Sequence, residues 1–291
     1  MVASHDKRWK LAHARIFSDF TPVSVRADGA SIYDFLGVGT AAKFRKGWDA
    51  HCVAAGREVT PRLPPPNEHY FDWVLLLESV VRAKGAFRMG ELGAGWGAWI
   101  VRGAAAARQR PSIGKVELFA VEADKTHYEW MLHHMEANGL DPAEHHLLHG
   151  AVAASSGTVK FPVVADPAEN YGASTRAVTA GTPFVVVEAY TIADILDRCS
   201  GPLDFLHIDM QGAEYETIPK SIDLLSGKVK RIMIGTHISD ELHNALAESF
   251  AQAGWTERMN FQRASTADSE LGPIKLGDGL IAVDNPRAED L

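Results

Sequence analysis

From Tyr70 to the C-terminus, short apolar runs that read as strands alternate with longer segments of helical periodicity, and this alternation constrains the chain more than any other feature. The run FDWVLLLESVVR at 71–82 carries apolar residues over a broad face and predicts a helix. The sequence next predicts a strand over 87–92 stopped by Gly93, an alanine-rich helix over 96–109 and a strand over 116–121. A helix over 125–138, ended by Gly139, and a strand over 146–149 follow. A β-rich stretch at 158–164 and 184–189 precedes a helix over 191–199, a strand over 203–208, a helix over 214–225, a strand over 229–235 and a helix over 240–253. Strands over 256–261 and 279–283 close the chain with no crossover helix between them. Such a pattern predicts an α/β fold with a mostly parallel sheet, helices on both faces and an antiparallel edge strand.

Upstream the patterning is weaker. Pro61, Pro64, Pro65 and Pro66 interrupt the chain and favour an extended connector. They predict an N-terminal extension over residues 1–66, with two helices and a short hairpin (23–25 with 32–34), ahead of a main domain over 67–291. A chain of 291 residues, 46% of them apolar, suffices for a full core. Net charge is −8 and the basic residues are scattered, which argues against nucleic acid as the partner. Cys52 and Cys199 have neither disulfide-framework nor zinc-ligand spacing and fit reduced thiols in a cytoplasm. No export signal or membrane span is expected, and a homo-oligomer is compatible with this composition.

The segment Glu91-Leu92-Gly93-Ala94-Gly95-Trp96-Gly97 falls where the first strand turns into its helix, the place where open α/β sheets bind ligands. Nicotinamide and flavin enzymes use a G-x-G-x-x-G turn there to seat a diphosphate on the helix N-terminus. Here the spacing is G-x-G-x-G, and Glu91 puts a carboxylate beside the diphosphate position. An anion is disfavoured there and a cationic group is favoured. Glu122, at the end of the next strand and followed by Ala123, stands where a carboxylate accepts hydrogen bonds from ribose hydroxyls. A nicotinamide-dependent oxidoreductase and a non-catalytic cofactor-binding protein are the rival readings.

Four segments, ELGAGWG at 91–97, VEAD at 121–124, HGAV at 149–152 and above all IDMQGAE at 208–214, resemble the FkbM-type methyltransferases, and the likeness runs from about Tyr70 to the C-terminus. The resemblance implies a Rossmann-like class I methyltransferase fold with S-adenosylmethionine as methyl donor and a hydroxyl of a sugar or small molecule as acceptor. Carried over by position, Glu91, Gly93 and Gly95 would face the methionine part and Glu122 the ribose. Gly150, Ala151 and Val152 would lie near the adenine, and Asp209 beside the methyl. Trp96, Gly97 and Ala123 join this cofactor set as neighbours in the same turns. Many relatives carry an acid two residues before the histidine after strand five, where this chain has Gly235-Thr236-His237.

Methyl transfer to an alcohol requires alignment and removal of a proton. Either a general base, Asp209 or His237, takes that proton, or Mg²⁺ or Mn²⁺ held by Asp209, Glu214 and His237 lowers the hydroxyl's pKa. Tyr171 and Ser174, in an irregular loop, are expected as polar contacts to the acceptor.

Overall fold

The structure is a computed structural model that describes residues 13–60 and 63–291. The first twelve residues and Pro61, part of the expected extension and connector, lie outside the described residues. Seven strands form the main sheet: β1 (Gly85–Leu92), β2 (Ile113–Glu122), β3 (His146–His149), β4 (Phe205–Ile208), β5 (Arg231–Thr236), β6 (Thr256–Phe261) and β7 (Gly279–Asp284). Their spatial order is 6-7-5-4-1-2-3. Every pair from β3 across to β5 is parallel, and β7 runs antiparallel between β5 and β6 at one edge. This is the Rossmann-like α/β sheet that the alternation predicts.

Successive residues on a strand point to opposite faces, so each central strand feeds two cores. Phe205, Met233, Leu280 and Ala282 join one buried cluster, while Leu206, Ile208, Ile232, Ile234, Ile281 and Val283 join the other. The first face is covered by helices α1 (Tyr70–Arg82), α2 (Ala98–Arg108) and α3 (Lys125–Ala137); the second by α4 (Asp240–Gln252) and the short helices Ile192–Leu196 and Ile222–Lys228. Helix α1 is buried almost all round, as its nearly unbroken apolar run requires.

The N-terminal segment packs on the same face as α1. Phe17, Phe35 and Leu36 belong to its cluster, with the Phe35 and Trp73 ring centroids 5.1 Å apart. Asn138 exchanges two hydrogen bonds with the backbone of Gly39, and His134 meets Thr40 at 3.3 Å. The hairpin differs from the expected one: Ser31–Tyr33 pairs with Gly39–Ala41, and Val25–Arg26 pairs with Glu58–Val59. Asp34 dictates the turn, because its carboxylate accepts from the amides of Leu36 and Val38 while Gly37 takes φ +81°.

Two further expectations are corrected. The helix expected over 214–225 is split into Glu214–Thr217 and Ile222–Lys228, because Pro219 cannot donate an amide within a helix. The helix after the β-rich stretch has one turn only, Ile192–Leu196, started by a capping box between Thr191 and Asp194. Among the described residues no helix is long and apolar enough to cross a membrane.

One buried charge ties the antiparallel edge to α1. Arg231, 2% exposed, donates to Asp284 at 2.6 and 3.1 Å, to Glu78 at 2.8 Å and to the Leu75 carbonyl. Removing one member of such a buried network leaves its partners uncompensated, at a cost of about 3–5 kcal/mol. Arg231→Ala is therefore expected to lower stability by roughly that amount, measured by denaturant unfolding. A loss within about 1 kcal/mol would show that Glu78 and Asp284 are well solvated without it.

Candidate active site

The carboxyl ends of β1, β2 and β4 border a cavity of about 500 Å³, within the rough 300–1,000 Å³ range of small-molecule sites. Its shape depends on Gly93. That residue sits at φ +74°, and a Cβ there would stand 1.9 Å from the carbonyl oxygen of Asp209, which follows the neighbouring strand β4. Asp209 donates its amide to the Leu92 carbonyl at 2.8 Å, so the two strand ends leave the sheet in contact. No side chain fits between them.

Glu91 is buried, and its carboxylate accepts from the amides of Trp99 at 3.2 Å and Ile100 at 3.0 Å, the first turn of α2. It lines the cavity, yet its oxygens point at the helix rather than standing free for a ligand. Glu122 likewise accepts from Gly95 and Asp124, both at 2.7 Å. Burial pushes both carboxyls up to about 7, against the lowering effect of those amides and, at Glu91, of the His207 charge.

The structure brings Glu91, Gly93, Gly95, Trp96, Glu122, Ala123, Gly150, Ala151, Val152 and Asp209 onto one cavity wall, with Tyr171 and Ser174 beside them. Gly97 is the exception. It starts α2 at φ +70°, packed against Met131, and forms no part of the wall. The polar atoms of Tyr171 and Ser174 are engaged elsewhere: the Tyr171 hydroxyl donates to the Phe44 carbonyl, and the Ser174 hydroxyl accepts from the Arg176 amide. Tyr171 presents a ring instead, stacked on His127 at 4.4 Å and edge-on to Trp96 at 4.8 Å. The Trp96 indole N–H is buried without a partner.

Asp209, Glu214 and His237 do come together, though not around a common centre. The His237 ring lies between the two acids, with Nδ1 3.1 Å from Glu214 and Nε2 3.3 Å from Asp209. Glu214 is fully buried, its second oxygen held by the Gly212 amide at 2.8 Å. One ion cannot reach both acids past the ring, and among the described residues no group of three or more His, Cys, Asp or Glu side chains is arranged to hold a metal. The expected Mg²⁺ or Mn²⁺ ligand set is thus corrected. His237 and Glu214 also stand behind the wall, which here is formed by Asp209 and Gln211. The Gln211 amide bridges Asp209 at 2.7 Å and His237 at 3.0 Å, on a backbone at φ +51°. Burial lowers the His237 pKa, but Glu214, Asp209 and Asp278 together carry it above its ordinary value. Burial raises Asp209, with the two histidines His237 and His207 opposing.

Sequence reasoning missed the far end of the cavity. His207, within β4, places Nε2 3.0 Å from Asp72 of α1, while its Nδ1 is buried without a partner. Arg102 of α2 pairs through Nε with Asp34 at 3.1 Å and lies 4.8 and 4.7 Å from the rings of Trp73 and Trp99. The available signal was polarity out of place: Asp72, Arg102 and His207 each interrupt an otherwise apolar element.

Sequence comparison finds a relative from Jannaschia sp. (strain CCS1), named "Putative methyltransferase", 33% identical over 235 residues, covering 76% of this chain and 81% of the relative. No family model matches the chain. Remote structural likenesses include the precorrin-6y C5,15-methyltransferase of Geobacter metallireducens GS-15, at TM-score 0.41 and 12% identity over 72% of this chain and 85% of that one. Another is the methyltransferase FkbM of Methylobacillus flagellatus KT, at TM-score 0.43 and 10% identity over 69% of this chain and 44% of that one.

Two outcomes are expected from this geometry. An acid with a raised folded-state pKa favours folding below its unfolded value, and that contribution is lost as pH rises through the folded value. With Glu91 and Glu122 raised from 4.5 to about 7, the ligand-free protein should lose stability across that window, and the raised His237 acts in the same direction. Unfolding midpoints at about pH 5 and about pH 7.5 check this, and Glu122→Gln should flatten part of the slope. Gly93→Ala should cost at least about 1–2 kcal/mol from its left-handed backbone alone, and thermal unfolding at wild-type temperature would contradict the contact with Asp209.

Proposed function

Because the chain belongs to the methyltransferase family of its Jannaschia relative, we propose that it transfers the methyl group of S-adenosylmethionine to a hydroxyl oxygen of a sugar or other small molecule, in the manner of the FkbM-type enzymes. The observation that carries the choice of donor is the engagement of Glu91 with the amides of Trp99 and Ile100. Those first-turn amides, together with the helix dipole, are what a dinucleotide's diphosphate would need. A side-chain carboxylate already fills them. A cationic sulfonium nucleoside makes no claim on that site, and the carboxylates of Glu91, Glu122 and Asp209 around the cavity suit its positive charge.

In this reading Glu122 receives the ribose hydroxyls, Gly93 and Gly95 let the donor approach the backbone, and Gly150, Ala151 and Val152 border the base. S-Adenosylmethionine supplies, when bound, a methyl group on a positively charged sulfur. The acceptor oxygen bonds to the methyl carbon as the carbon–sulfur bond breaks and its electron pair stays on sulfur. The hydroxyl proton passes to Asp209, which faces the cavity. His237 is a positioning residue: fixed by Glu214 through Nδ1, it holds the Asp209 carboxylate and the Gln211 amide in place. The segment 32–48 forms the wall over the acceptor, which is supported by Ile32, Tyr33, Arg45 and Trp48 bordering the cavity.

Isothermal titration is expected to show binding of S-adenosylhomocysteine and none of NAD; the reverse result ends this assignment. Asp209→Asn should retain the nucleoside while lowering turnover of a hydroxyl acceptor by about 10²–10⁴-fold, the usual share of a general base. Undiminished turnover would remove Asp209 from the proton's path.

A further inference from the structure

Beyond the glycine turn the cavity continues into a compartment walled by Trp73 and Trp99 and bordered by Asp34, Glu91, Arg102 and His207. The role proposed for the nucleoside does not account for this end. Arg102 is the feature that needs explaining. Its Cζ lies 4.8 Å from one tryptophan ring and 4.7 Å from the other, and its side chain is 18% exposed. Such stacking fixes the plane of the guanidinium and removes most of its water.

The ion pair with Asp34 uses Nε alone. Asp34 in turn is held by the amides of Leu36 and Val38, so the acid belongs to the turn and cannot follow the arginine. Among the described residues the terminal Nη groups of Arg102 have no hydrogen-bond partner, and together they present the two parallel donors that a carboxylate accepts in bidentate fashion. His207, 4% exposed, borders the same compartment, with Nε2 occupied by Asp72 and Nδ1 buried without a partner.

We propose that this compartment is a carboxylate-binding site in which Arg102 supplies the paired donors. It deepens the methyltransferase reading and rests on it for the first of two sources of the ligand. Either the carboxylate is that of the amino-acid end of S-adenosylmethionine, or it is an acid group on the methyl acceptor, for which the tryptophan walls favour an aromatic body.

The test compares wild type with Arg102→Met, using two nucleosides and one aromatic acid. S-Adenosylhomocysteine carries the amino-acid carboxylate and 5′-methylthioadenosine lacks it; benzoate stands for an acidic acceptor. If the cofactor is the source, Arg102→Met weakens S-adenosylhomocysteine by at least about tenfold, which is about 1.4 kcal/mol, and leaves 5′-methylthioadenosine unchanged. If the acceptor is the source, both nucleosides bind as before, while benzoate raises the unfolding temperature of nucleoside-loaded wild type but not of the variant. Should neither ligand distinguish the two proteins, the site is refuted. Arg102→Met strands Asp34, so the double variant Arg102→Met/Asp34→Asn serves where the single one is unstable; Asp34→Asn alone, which keeps the guanidinium, must retain binding. Wild type that takes up neither nucleoside overturns the proposed function, and the benzoate arm then decides separately for or against Arg102.

Discussion

The engagement of the Glu91 carboxylate with the first turn of α2 is the interaction on which the site depends. It places a negative charge at the positive end of an eleven-residue helix, and it satisfies two of the four amides that every helix leaves open at that end. The same contact closes the usual route by which this kind of sheet binds phosphate. What remains for a ligand is the strip of backbone between Gly93 and Gly95, the end of β2 at Glu122 and the end of β4 at Asp209. All three come into one cavity because Gly93 has no Cβ to hold β1 and β4 apart.

The two-faced sheet explains why the N-terminal segment reaches this cavity. Its aromatic residues join the core on the face covered by α1, α2 and α3, and the turn around Asp34 is fixed both by its own carboxylate and by Arg102 of α2. Asn138 and His134 of the α3 region clamp the next strand, Gly39–Ala41. The segment is therefore seated against the same helix whose N-terminus Glu91 caps, and a substitution in one would be felt in the other through α2.

Much of this was legible in the sequence, for identifiable reasons. The strands of the main sheet are apolar runs ended by residues that cannot continue them, and buried parallel strands must be apolar on both faces. Glu91, Gly93, Gly95 and Glu122 were legible as cavity residues because they fall at strand ends, a position fixed by topology and independent of side-chain detail, and Asp209 through the family resemblance of its segment, 208–214. What stayed hidden depends on contacts between residues distant in sequence. The hairpin register follows from Asp34 capping its own turn, and the fates of Tyr171 and Ser174 from partners at Phe44 and Arg176. Asp72, Arg102 and His207 come from three different elements and meet only after the chain has folded. The expected metal set failed for a similar reason: spacing along the chain brought Asp209, Glu214 and His237 together, but only coordinates reveal that the imidazole separates the acids.

That separation has a chemical consequence for the far side of the cavity floor. An imidazole held by a fully buried carboxylate at Nδ1 has its ring orientation fixed, and its Nε2 faces the Asp209 carboxylate and the Gln211 amide nitrogen rather than a ligand. Asp209 thereby gains a fixed counter-charge behind it while its outer face stays open to the cavity. A carboxylate in that position is stabilised as an anion by the imidazole yet desolvated by its surroundings, and burial prevails, so its pKa stands above the ordinary carboxylate value.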